Sequence, residues 1–179
     1  MTELEHQGQA ARQRALESAR RSRAAILELA VRAEYLLGEA LAHDLAANEE
    51  AAAILQEHMT WRVPIEVKLK LLSQAMDTYY DISDTFPFVV PVLTKLFQVR
   101  NILAHSLETP VPEDRHEIGF LSVHRGRITE HSIRMDALDW LWQQGNKVYG
   151  ELYVISGVLK DIRIYENEES RAQYLQVEP

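Results

Sequence analysis

Apolar residues recur at intervals of three and four through most of this chain. Ile26, Leu29, Ala30, Ala33, Leu36, Leu37 and Leu41 form one such stripe, the mark of an amphipathic helix. It lies in a helix-favouring stretch from Glu3 to Leu45, either one long helix or a helix behind a frayed arm. Residues 1–23 are set apart as a charged N-terminal arm or helix extension. Arg12, Arg14, Arg20, Arg21 and Arg23 precede the stripe and are expected to project into solvent. Asn48 is expected to cap a shorter helix ending near Met59, because its side-chain oxygen can accept from an orphan amide of the first turn. Pro64 suits the first turn of a helix reaching Tyr80, with Ile65, Leu69, Leu72 and Met76 inward. Asp81 to Thr85 reads as a turn.

The segment FPFVVPVLTKLFQVRNILAHS, Phe86 to Ser106, is strongly apolar. Pro91 should start or kink a helix there, and Leu93, Leu96, Phe97, Ile102 and Leu103 should face a core. The period then changes. Thr109 to Glu117, with Pro110 and Pro112, reads as a loop. In IGFLSVHRGRITEHSI the residues Ile118, Phe120 and Ser122 alternate with Gly119, Leu121 and Val123, which predicts a β-hairpin over residues 118–133 with Arg125-Gly126 at its tip. Asp136 opens the last helix, carrying Leu138, Leu141, Trp142, Tyr149, Leu152, Ile155, Leu159 and Ile162. Residues 166–179 form a charged tail. The expected fold is all-α: an antiparallel helical bundle over residues 24–165, with a β-hairpin inserted before its last helix.

Composition narrows the function classes. With 179 residues, 46% hydrophobic and 26% charged, the chain suits one domain with a real core. A formal net charge of -8 argues against a surface coated in positive charge for non-specific nucleic-acid binding. Cysteine is absent, so disulfides and thiolate metal sites are excluded. The N-terminal residues lack the apolar core of a signal peptide, and no apolar run approaches the roughly 18 residues of a membrane span, so a cytoplasmic protein without membrane contact is expected. No G-x-G-x-x-G, P-loop or H-E-x-x-H pattern occurs, so neither cofactor nor metal is predicted. Trp61, Trp140 and Trp142 are expected to be core or interface anchors.

Chemistry concentrates in RNILAH, residues 100–105. Asn101 and His105 share a helix face, while Arg100 lies about 140° round from His105 at about 100° per residue. Arginine offers a fixed fork of donors suited to phosphate. Histidine titrates near neutral pH and can move a proton. Asparagine can orient either. These are sufficient ingredients for metal-free RNA cleavage, in which histidine activates a ribose 2′-hydroxyl and arginine stabilises charge on phosphorus. The competing reading is polar structure that secures a helix or a dimer seam.

RNILAH resembles the R-x(4–6)-H signature of the HEPN superfamily, in the variant with asparagine after the arginine and alanine before the histidine. Its setting is similar too: LTKLFQVRNILAHS looks like the late motif helix and EVKLKLLSQA like the one before it. The resemblance spans about residues 20 to 165. It implies a small helical bundle and a metal-independent endoribonuclease, of the kind found in toxin–antitoxin, phage-defence or RNA-processing systems. It implies a homodimer whose two motifs meet in a cleft, with a separate antitoxin or regulatory protein in some systems. Arg100 and His105 would be the catalytic pair and Asn101 their polar support. Glu34, on an early helix, would hold Arg100, or would be an ordinary solvated glutamate. The stretch 115–134 collects Arg115, His116, His124, Arg125, Arg127, His131 and Arg134; Arg115, Arg125 and Arg127 are the candidate RNA contacts, diluted by Glu113, Asp114, Glu117 and Glu130. Some HEPN proteins have lost catalysis, so the rival expectation is a non-catalytic dimeric interaction or RNA-binding module.

Overall fold

The computed structural model describes residues 3–46, 48–79, 82–109, 117–124 and 126–175. The order is α1 (Glu3–Leu45), α2 (Glu49–Trp61), α3 (Ile65–Gln74) with a π-helical turn (Ala75–Tyr79), α4 (Val89–His105), β1 (Ser106–Thr109), β2 (Glu117–His124), β3 (Arg127–Arg134) and α5 (Met135–Leu175). The fold is mostly helical, with a small antiparallel sheet. The arm and stripe of the N-terminus form one helix. The last helix continues through most of the charged stretch expected to be a tail.

Two compact units share the chain. Met1–Ala30 with Lys95–Gly145 make one; Val31–Thr94 with Asn146–Pro179 make the other. The first, the sheet unit, holds the start of α1, the end of α4, the sheet and the start of α5. Its buried residues include Ile26, Leu29, Leu96, Phe97, Leu103, Ile118, Phe120, Leu138 and Leu141. The second, the helical unit, buries Leu37, Leu41, Leu72, Leu93, Leu152 and Ile155 among others. All seven residues of the α1 stripe are buried, as are Leu93, Leu96, Phe97 and Leu103 of α4, with Ile102 half-buried.

Local signals explain the boundaries. The Asn48 side chain accepts from the Ala51 amide at 2.8 Å and starts α2. Pro64 stands at the N-cap of α3, where a missing N–H costs nothing. Pro91 lies in the first turn of α4 for the same reason. In the helical unit, a Cβ on Gly38 would meet Thr60 Oγ1 at 2.5 Å and the Thr60 backbone at 3.2 Å, so only glycine lets α1 approach the end of α2 this closely.

The hairpin departs from expectation in one respect. Its two strands pair with His124 opposite Arg127 and Ile118 opposite Ile133, and Gly126 at φ 76° takes the left-handed conformation the tight turn needs. A third strand joins it: β1 follows α4 without a break and pairs Ser106 with Ser122 and Leu107 with Leu121. The free edge of β2 offers unpaired N–H and C=O groups, and pairing SLET there satisfies both strands. The bare hairpin on an all-α bundle is thus corrected to a three-stranded sheet in order β1-β2-β3. Trp61, Trp140 and Trp142 are exposed, which corrects the core half of their expectation and leaves the interface half as an expectation.

Candidate active site at the end of helix α4

RNILAH occupies the final turns of α4, within the sheet unit. Leu96, Val99 and Leu103 turn inward and are buried. This fixes the rotation of the helix. Asn101 and His105 are therefore exposed on the outward face, and Arg100 is half-buried at the margin. The Arg100 guanidinium carbon lies 5.7 Å from the centroid of the buried Phe97 ring, one turn back, within cation–π range. The motif thus presents an imidazole and an amide to solvent, with a guanidinium seated on an aromatic face beside them.

The last carbonyls of any α-helix lack intrahelical donors. Here α4 ends at His105 and Ser106 enters β1 at once, so the end must be closed from elsewhere. Arg23 of α1 does this. Its Nη2 donates to the Leu103 carbonyl and, at 3.4 Å, to the Ser106 carbonyl. Its Nη1 donates to Glu108 Oε1 at 3.0 Å. Arg20 Nε lies 3.7 Å from the other Glu108 oxygen. The expectation of a solvated Arg23 is corrected: its side chain is only 25% exposed, because the planar fork can serve two carbonyls and a carboxylate together. Arg14, Arg20 and Arg21 are exposed as expected. The missed signal is positional: Arg23 stands three residues before Ile26 and seven before Ala30, on the apolar stripe itself.

No family model, curated protein or solved structure matches the chain.

Glu34 belongs to the helical unit. Its Oε1 accepts from Lys68 Nζ at 2.8 Å, and the same ammonium donates to the Thr60 carbonyl at 2.9 Å. Lys68 is fully buried and Glu34 mostly so, which rules out the ordinary solvated glutamate. A buried ammonium needs both acceptors to offset its lost hydration. The signal was again a charge at a stripe position, since Lys68 lies between Ile65 and Leu72 at helical spacing.

The basic stretch is described only in part. Arg115 and Arg125 lie outside the described residues, as does His116. Arg127 is exposed on β3. Arg134 pairs with Asp136 through both carboxylate oxygens, and this bond holds the Asp136 carboxyl below its ordinary range. His131 Nε2 lies 3.0 Å from Ser122 Oγ. Among the described residues, no group of three or more His, Cys, Asp or Glu side chains is placed to hold a metal ion, and no helix is long and apolar enough to cross a membrane.

Proposed function

We propose that this chain is a metal-independent endoribonuclease of HEPN type that acts as a homodimer, in a toxin–antitoxin or phage-defence setting with a cognate regulatory protein. The observation that carries this reading is the outward display of Asn101 and His105 at the end of α4, with Arg100 at the margin of the same turn. A motif serving only to pack a helix would turn its polar groups inward and satisfy them there.

In the proposed reaction His105 takes the proton of a ribose 2′-hydroxyl. The 2′-oxygen attacks phosphorus, the bond to the 5′-oxygen breaks, and that oxygen leaves with a proton taken from water. Arg100 binds the non-bridging oxygens and stabilises the charge that builds on them. Asn101 orients the imidazole or the ribose. Arg100 and His105 lie about 140° apart on one helix, a geometry that two copies related by a two-fold axis overcome by facing their motifs across one cleft.

The end groups test the reaction type. Fragments should carry 2′,3′-cyclic phosphates and free 5′-hydroxyls; 5′-phosphates with 3′-hydroxyls would contradict the mechanism. A second reading, a non-catalytic dimeric interaction or RNA-binding module, is favoured by the net charge of -8 and by the neutralisation of Arg134 by Asp136. It predicts RNA retained intact by the native protein.

A further inference from the structure

We infer that Arg23 is a positioning residue of the proposed nuclease site, holding the end of α4 so that His105 meets its substrate in one orientation. The inference rests on the nuclease reading of RNILAH. His105 is exposed, and the backbone that carries it fixes the Cα–Cβ direction from which its ring reaches out. That backbone is clamped on both sides: Arg23 Nη2 donates to the carbonyls of Leu103, two residues before, and Ser106, one residue after. Glu108 accepts from Nη1 and so fixes the fork in the plane that reaches both carbonyls. The Arg23 and Glu108 side chains are 25% and 22% exposed, shielded enough for charge-assisted hydrogen bonds to hold.

The clamp stands where helix becomes strand. Ser106 is buried and already paired with Ser122 in the sheet, so any movement of the last turn of α4 is taken up between residues 103 and 106, the residues the fork spans. A general base displaced by about 1 Å loses roughly 100-fold in rate. Lysine has a single terminal nitrogen where Arg23 has two, so it cannot keep Nη2 on the carbonyls and Nη1 on Glu108 at once in one fixed plane. Arg23 therefore acts through α4 and not on the RNA.

The test uses the full chain with RNA in EDTA, comparing native protein with Arg23→Gln, Arg23→Lys, Glu108→Gln and Arg21→Gln. Arg21 carries the same charge on the same helix, but its Nε bonds the Glu17 carbonyl one turn away, so it controls for simple phosphate attraction. Circular dichroism and light scattering confirm fold and oligomeric state for each. Arg23→Gln should lower kcat by about 10- to 100-fold with KM little changed, Arg23→Lys by less, and Glu108→Gln by a few-fold. Arg21→Gln should match native. The ring signal of His105 in NMR should broaden or move toward the free-histidine position in Arg23→Gln. Native-like kcat in folded Arg23→Gln, or a rise in KM alone, overturns the positioning role while leaving the nuclease reading in place. If Arg23→Gln does not fold, Glu108→Gln decides, and an unchanged kcat there overturns the role. An inactive native protein overturns the nuclease reading and the positioning role with it.

Discussion

The ends of α2 and α4 are closed in the same way and differ in what they display. At the end of α2, Lys68 reaches the Thr60 carbonyl from eight residues on, paired with Glu34. At the end of α4, Arg23 reaches the Leu103 and Ser106 carbonyls from far earlier in the chain, paired with Glu108. Each cation satisfies one carbonyl that a helix end leaves open, Thr60 in α2 and Leu103 in α4. The ammonium is fully buried, and the Thr60 it holds is also pressed against Gly38. This is a dry structural closure. The guanidinium is partly open to solvent, and the turn it holds carries Asn101 and His105 outward. A cation–carboxylate clamp is thus not in itself a site. In the proposed reading, the chemistry belongs to the end whose outward face bears groups that packing does not require.

The α2 closure should break hardest. Lys68→Ala takes the ammonium from a mostly buried carboxylate and from the Thr60 carbonyl, and should cost about 3 kcal/mol in denaturant unfolding. Lys68→Met with Glu34→Leu should recover much of that, since a well-packed apolar pair of similar volume is often no worse. Recovery with RNA cleavage unchanged would sharpen the contrast between the two ends; loss of cleavage would tie Glu34 to the motif, as the HEPN resemblance implies. Gly38→Ala comes next. Its gain in helix propensity, about 1 kcal/mol, is outweighed by the contact with Thr60, and a net loss of about 1–2 kcal/mol is expected in the same unfolding measurement. A stabilised Gly38→Ala would mean that α2 has room to move.

The smallest effect is at the surface pair that joins β3 to α5. Arg134 holds the Asp136 carboxyl below its ordinary value, so the pair contributes above that ordinary value and loses its contribution as pH falls through the lowered one. Asp136→Asn should therefore lower the melting midpoint slightly at pH 7, and the gap should close as pH falls through the lowered value or in about 1 M salt. A gap that persists in acid would assign the effect to the α5 first turn and not to the ion pair.

Much of the fold was legible because periodicity and punctuation agreed. The α1 stripe, Asn48, Pro64, Pro91 and the hairpin register each follow from spacing or from one residue's backbone chemistry. What was not legible depends on long-range partners. SLET is too short and too mixed to alternate, and it is a strand because β2 offers an edge. Arg23 reads as solvated because charge usually is, and Lys68 carries no reading of its own. Both stand on apolar stripes, as Glu34 does, and a charge in such a position marks a buried partner. Trp61, Trp140 and Trp142 show the converse, since large apolar mass alone does not place a residue inside. Of the candidate site, Arg100, Asn101 and His105 could be read directly, because the last turns of one helix carry all three. The residue that secures those turns could not.

Metal-free RNA cleavage by the outward face of α4 is tested most directly on a mixed RNA pool in EDTA. Native protein, Arg100→Ala and His105→Ala are compared, each verified as the same oligomer by light scattering. Cleavage by the native protein is expected, with a loss of at least about 1000-fold in both variants. Intact RNA with the native protein, or undiminished cleavage by His105→Ala, would contradict a HEPN-type nuclease centred on RNILAH.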